Sequence, residues 1–381
     1  MQRVARALMI AGALVLGLAV VVRMMFGGGR RLDDRSTAPT IADAAIEVVA
    51  TLDYPPGNIA VSHDGRVFLT LHPDGAPPVK VVELVDGRPE PYPNAAFQRD
   101  DDSSIPSFQT TLSLRIDRQN RLWVLDHANF GQGQPRILAF DLATNELVHQ
   151  YDFPSDVAGL LSMLNDFQVS PAGDRIYIAE ASPIARTPAI VTYNVNTRES
   201  RRLLDSHPSV LPEDYLLRVE GRDMVILGVY ALRIGVDSIA LDRRGDWLYY
   251  GPVNGDRMYR IATRDLDDAT LTVEALGDRV EDFGPKPLSD GLTTDDAGNV
   301  IITAPEHDAV MALGPDRALT TWAKTPRFRW PDGLGFGPDG WLYVTCSALQ
   351  HVVFRSNAHM RGHAPYHVFR FQPGTSAVPG H

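Results

Sequence analysis

The chain has one cysteine, Cys346, in 381 residues, so no disulfide can form within it. That residue closes the run Trp341-Leu-Tyr-Val-Thr-Cys346, which reads as a strand carrying a small buried apolar side chain. A reactive thiol would require a neighbouring base, and the sequence shows none. Sustained helical periodicity is missing beyond the N-terminal segment, which excludes a doubly wound α/β fold. No P-loop, no Gly-x-Ser-x-Gly and no His-Glu-x-x-His motif occurs. Gly335-Phe-Gly-Pro-Asp-Gly340 matches the dinucleotide pattern in letters only. Pro338-Asp339-Gly340 reads as a turn between strands, leaving no helix N-terminus for a pyrophosphate, and no nucleotide cofactor is expected. Basic residues are also few, 36 against 47 acidic, and five of them (Arg3, Arg6, Arg23, Arg30, Arg31) fall in residues 1–31. The remainder has 31 basic and 47 acidic residues, a balance of about −16. Such a body repels phosphate backbones, so no nucleic-acid partner is expected. A neutral or cationic small molecule, or a metal ion, suits it better.

Turn-forming residues are abundant: 31 Gly and 28 Pro, without a collagen-like period. Together with 44% hydrophobic residues they point to many short elements around a substantial core. Ala7 to Val22 is an unbroken run of sixteen apolar or glycine residues behind Arg3 and Arg6, followed by Arg23 and Met24-Met25-Phe26. This is the pattern of a secretory signal. With Arg23 snorkelling, the run reaches about twenty residues, near the length that spans a bilayer. No small-x-small cleavage site precedes Arg30–Arg35, which favours an uncleaved signal anchor over a cleaved peptide. The reading divides the chain into residues 1–26 as anchor or signal peptide, 27–45 as a flexible linker and 46–375 as the folded body. The body is expected in the periplasm or outside the cell, membrane-anchored through residues 7–26 or secreted. Arginines at both ends of the run leave its orientation open.

One pattern recurs six times beyond residue 50: an apolar strand, a polar turn, and a second apolar strand. Asn58-Ile-Ala-Val-Ser-His-Asp-Gly-Arg-Val-Phe-Leu69 is the first copy and Asp332-Gly-Leu-Gly-Phe-Gly-Pro-Asp-Gly-Trp-Leu-Tyr-Val344 the last. The aligned turn residues are Gly65, Asn120, Gly173, Gly245, Gly298 and Gly340, spaced 55, 53, 72, 53 and 42 apart. All-strand repeats of this length predict an all-β fold, a six-bladed β-propeller, preceded by one hydrophobic helix. The 72-residue interval contains residues 206–235, an excursion that reads as a lid or edge.

In a propeller the first residues of each innermost strand, and the loops after each second strand, meet at one channel mouth. The first set is Gly57, Leu112, Asn165, Asp237, Asp290 and Asp332. Carboxylates converging on one axis raise each other's pKa unless a cation neutralises them. Hard oxygen donors suit Ca²⁺, Mg²⁺ or Mn²⁺, which makes Asn165, Asp237, Asp290 and Asp332 candidate metal ligands. Asx-turn capping of strand entries is the competing account. The second set is Asp126-His127, Glu180, Asn254, Glu306-His307 and Ser347. Asp290, His127 and His307 are the candidate acid/base groups. Glu180, Asn254 and Glu306 are candidate ligand contacts. His359, His363 and His367 match no standard zinc spacing and read as surface.

Several stretches resemble the yellow / major royal jelly protein family: Arg121-Leu-Trp-Val-Leu-Asp126, Ile137-Leu-Ala-Phe-Asp-Leu142 and Leu164-Asn-Asp-Phe-Gln-Val169. Gly235-Val-Asp-Ser-Ile-Ala-Leu241 with Leu248-Tyr-Tyr-Gly-Pro252 does so too. The resemblance implies a secreted propeller, with a dopachrome-type tautomerase among the activities connected with the family. The channel column is also similar to the divalent-metal site of the senescence-marker / gluconolactonase family. That likeness implies metal-ligand roles for Asn165 and Asp290, with Asp237 replacing an Asn, while the family's Glu falls on Gly57. Three functions follow as expectations: a propeller binding a small ligand with or without a divalent cation, a metal-dependent lactone hydrolase, and an envelope protein-binding scaffold.

Overall fold

A computed structural model describes residues 2–99 and 104–380. Gln2–Phe26 forms one helix of 25 residues. Its stretch Leu8–Phe26 is long and apolar enough to cross a membrane, and none of it is buried against the body.

Six four-stranded antiparallel sheets follow, arranged as propeller blades. Their innermost strands are Pro56–Val61, Thr111–Ile116, Leu164–Val169, Val236–Leu241, Leu292–Thr294 and Pro331–Phe336. Blades 1 to 5 run outward in chain order. Blade 6 takes its outermost strand, Glu47–Leu52, from the start of the body, where it pairs with Tyr366–Phe371. Backbone hydrogen bonds between the two ends thus close the ring, and no inner sheet is left open.

Every inner hairpin turns on a residue with positive φ: Gly65, Asn120, Gly173, Gly245, Gly298 and Gly340. Five are glycine, and the sixth is the residue type that best tolerates the left-handed region after it. Side chains brace these turns from within, as when Asp117 Oδ1 accepts from the backbone N–H groups of Gln119 and Arg121. Apolar faces of adjacent blades then pack in pairs around the ring. Phe68 meets Leu114 and Phe140 between blades 1 and 2, and Phe336 meets Ile301 and Val310 between blades 5 and 6.

Residues 206–235 form two small hairpins, Arg218–Val219 with Arg222–Asp223 and Val225–Ile226 with Tyr230–Ala231. They pack Tyr215, Leu217, Val219 and Met224 against Leu71, Trp330 and Leu349. This excursion therefore roofs part of the channel mouth. At the opposite end, Gly380 hydrogen-bonds Phe336 O and Ile116 N, so the C-terminal tail crosses the channel there. The segment 27–45, expected as a linker, lies against the body. Arg30 pairs with the backbone of Asp214 and Leu216, and Arg35 bonds Asp256 and Lys286 O. Cys346 is buried in its strand, and burial pushes its thiol well above the ordinary range, which leaves it inert.

Candidate functional site at the channel mouth

Five of the six inner strands carry a register shift at their first residues: Pro56/Ile59, Thr111/Ser113, Leu164/Phe167, Val236/Ser238 and Pro331/Leu334. A bulge opposes two residues to one, so it re-aims side chains at the strand entry. Threonines on the second strands stabilise these entries. Thr70 Oγ1 accepts from Asn58 N at 2.9 Å, Thr303 Oγ1 from Gly291 N at 2.8 Å, and Thr345 Oγ1 from Gly333 N at 2.8 Å. Two of them also bond the next blade, Thr70 to Leu112 O at 2.7 Å and Thr345 to Gly57 O at 2.6 Å. The blades are so close here that a Cβ on Gly291 would lie 1.8 Å from Asp332 O.

The resulting site has two tiers. In the lower, Asn58, Arg115 and Asp166 are buried. Asn58 donates from Nδ2 to Asp166 Oδ1 at 2.6 Å and to Ser113 Oγ at 3.2 Å. Its Oδ1 accepts from Arg115 and from Ile59 N. Arg115 Nη2 stands 3.6 Å from Asp166 Oδ2. Above lie Asn165, Asp290 and Asp332, partly exposed toward the mouth, with Asp237 buried beside them. Asn165 donates to Asp237, and Trp330 Nε1 donates to Asp290 Oδ2.

Of these four carboxylates, Asp166 and Asp332 interact with the Arg115 guanidinium. Burial, then the charges of Asp290 and Asp166, hold Asp237 and Asp332 well above the usual carboxylate range. Asp166 is raised by burial, an effect that Arg115 opposes. His72 and His127 stand at the same mouth. Burial lowers His72 while Asp74 and Asp290 oppose the shift, and burial together with His72 brings His127 to about 4. His127 Nδ1 accepts from Phe130 N at 3.0 Å, so its proton sits on Nε2.

The first column expected from sequence comes together: Asn165, Asp237, Asp290 and Asp332 interact across blades 3 to 6. Of the second, His127 and Ser347 join them, Ser347 as a hydrogen-bond partner of Asp332. The others hold neighbouring segments. Glu180 pairs with Arg202 and accepts from Met163 N. Asn254 accepts from Ile234 N and donates to Tyr215 O and Leu232 O, anchoring both ends of the lid. Glu306 accepts from Arg218 N in the lid at 2.7 Å, and burial pushes it up to about 7. His307 lies 3.5 Å from Asp34 in the N-terminal segment. Sequence reasoning missed Asn58, Arg115, Asp166 and His72. His72 follows the second strand of blade 1 as His127 follows that of blade 2, so the same alignment reaches it.

Comparisons with known proteins agree with this architecture. A family model described as "Major royal jelly protein" matches residues 109–322. Major royal jelly protein 1 of Apis mellifera is 29% identical over 228 residues, 55% of this chain and 50% of that protein. Protein yellow of Drosophila guanche is 24% identical over 294 residues, 69% of this chain and 50% of that one. The chain spans about half the length of the curated relatives it matches. A putative gluconolactonase of known structure superposes with a TM-score of 0.55 at 14% identity, covering 92% of this chain and 99% of its own. At that identity the likeness establishes the fold alone.

Proposed function

This chain belongs to the major royal jelly protein family, and on that premise we propose that it is an exported propeller binding a small ligand at its channel mouth. The ligand is cationic or is held through a divalent cation. One observation carries the reading: Asp166, Asp237, Asp290 and Asp332 converge near the Arg115 guanidinium, and without a cation Asp237 and Asp332 are held well above the usual carboxylate range, a crowding that a bound positive charge would relieve. Asn165, Asp237, Asp290 and Asp332 offer only hard oxygen donors on the open side, which fits Ca²⁺, Mg²⁺ or Mn²⁺. Gly57 adds nothing, because a Cβ there would meet Thr70 Oγ1 at 2.6 Å. The ligand set therefore comes from blades 3 to 6.

A second reading, lactone hydrolysis, draws on the neutral imidazoles of His72 and His127 beside the carboxylates. A bound cation would supply carbonyl polarisation there. His127, with its proton on Nε2, would donate a hydrogen bond to the leaving oxygen, while Asp290 would take up the proton of the attacking water and pass it to that oxygen as the acyl–oxygen bond breaks. Export rests on the apolar helix Leu8–Phe26. A reporter fused after residue 45 should be active outside the cytoplasm, and activity confined to the cytoplasm overturns that part.

Calorimetric titration of the full chain with Ca²⁺ and with Mn²⁺ tests the binding reading. Wild type should take up one ion, and Asp290→Ala should weaken it at least tenfold. Identical titrations for the two proteins would sink the cation reading. A lactone and dopachrome substrate panel, run with and without chelator, then separates binding from catalysis.

A further inference from the structure

Away from the channel axis, His351, His359 and His363 bring one ligand nitrogen each to within 4.8 Å of one another. They come from two elements of the loop between the second and third strands of blade 6. His351 ends the turn Leu349–His351, and His359 and His363 lie four residues apart on one face of the helix Asn357–His363. His367 is not among them; it lies in the following strand opposite Thr51 and Cys346.

Hydrogen bonds fix which nitrogen two of the three rings present. Glu220 Oε2 accepts from His351 Nε2 at 2.9 Å, which leaves the lone pair on His351 Nδ1. The carbonyl of His359 accepts from His363 Nδ1 at 2.9 Å, leaving the lone pair on Nε2. His351 Nδ1 and His359 Nε2 face each other at 3.3 Å. A tetrahedral zinc site with arms of about 2.0–2.1 Å has edges of about 3.3–3.4 Å. With the lone pair on His351 Nδ1, His359 Nε2 donates across this gap, and an ion replacing that proton would find the two nitrogens at the spacing of two ligands. A carboxylate behind a ligating imidazole is the usual means of holding its orientation and raising its basicity. Glu220 is such a group, and it occupies a left-handed position (φ 50°) in the two-residue turn of the Arg218–Asp223 hairpin, where Asn or Gly is the ordinary choice.

We propose that His351, His359 and His363 form a binding site for a divalent transition metal, Zn²⁺ foremost, which pins the lid to blade 6 through Glu220. Three imidazoles without thiolate or carboxylate in the ligand set suit Zn²⁺, Cu²⁺ or Ni²⁺ rather than the hard cations of the channel. The three rings are partly exposed, so a fourth position is open to water. Because Glu220 belongs to the excursion over the channel mouth, metal binding and lid closure favour one another.

The test uses chelator-treated full chain in detergent, titrated with Zn²⁺ by calorimetry and with Co²⁺ by visible absorption. Wild type should bind one Zn²⁺ and give the intense ligand-field bands of tetrahedral Co²⁺. His359→Ala should weaken binding at least 100-fold, and Glu220→Gln, which keeps all three ligands, about 10–100-fold. Asp290→Asn should leave it unchanged. Zn²⁺ should also slow proteolytic cleavage within residues 218–233 in wild type but not in His359→Ala. Zn²⁺ affinity that survives His359→Ala or disappears with Asp290→Asn overturns the site. Weak six-coordinate Co²⁺ bands in wild type do the same without reliance on any variant. Cleavage unaffected by bound Zn²⁺ overturns the pinning of the lid.

Discussion

Replacing Arg115 by leucine removes the counter-charge beneath the channel mouth. The side chain is 1% exposed, and its guanidinium lies 3.6 Å from Asp166 while also donating to Asn58. At that separation, an effective dielectric of about 20 gives an attraction of about 5 kcal/mol. Losing one partner of a buried pair typically costs about 3–5 kcal/mol, because the surviving charge stays buried. Arg115→Leu should therefore lower unfolding free energy by about 3–5 kcal/mol at pH 7.5, read by urea denaturation of the detergent-solubilised chain. Asp166 supplies the control. Its carboxyl is already raised by burial, and loss of Arg115 raises it further. A carboxyl raised in the folded state costs stability above its folded pKa, and the cost fades as pH falls toward the unfolded value. The deficit of Arg115→Leu should thus shrink at pH 4.5. Asp166→Asn, which still accepts from Asn58 Nδ2, should restore more than half of it at pH 7.5. A deficit under about 1 kcal/mol, or one unchanged by either treatment, refutes the ion-pair account.

Gly291→Ala should lower stability by about 1–3 kcal/mol in a thermal melt, because the new methyl meets the Asp332 carbonyl; Gly28→Ala, with nothing within 4 Å, should be near neutral. Equal melting of the two would show that blades 5 and 6 separate freely at the mouth. Lys286 is fully buried, donates to Pro287 O and Ser289 Oγ at 3.1 Å each, and is brought to about 7 by burial. A lysine depressed in the folded state loses stability as pH falls from about 10.5 to about 7 and no more below that. Lys286→Met should flatten this part of the melting-versus-pH curve, and a wild-type slope that persists in the variant assigns it to another group.

Local chemistry carried the fold. Gly65, Asn120, Gly173, Gly245, Gly298 and Gly340 all adopt positive φ, and each inner hairpin closes within about a dozen residues, so its signals are contiguous in the chain. Six such units, none able to bury both faces alone, must stack on one another, and the pairing of Glu47–Leu52 with Tyr366–Phe371 closes the stack into a ring. The axis column was legible for the same reason: strand entries recur at fixed distance from the turns, and Asn165, Asp237, Asp290 and Asp332 follow from counting.

What the column could not convey was its neighbours. A bulge adds one residue at the strand entry, so Asn58 reaches the axis where counting pointed to Gly57, and Asp166 joins Asn165. Arg115 reads as an ordinary strand residue until six strands are placed around it. Glu180 ends its second strand and Asn254 and Glu306 follow theirs, yet Arg202 and the lid engage them through contacts 20 to 88 residues distant in sequence. The histidines give the clearest contrast. Sequence grouped His359 and His363 with His367, whereas the fold replaces His367 by His351 and sets Glu220, 131 residues away, behind it. Turns and strands depend on interactions within a few residues and are written locally. Charge pairing and ligand geometry depend on which distant segments the closed ring presses together, and only the tertiary structure decides that.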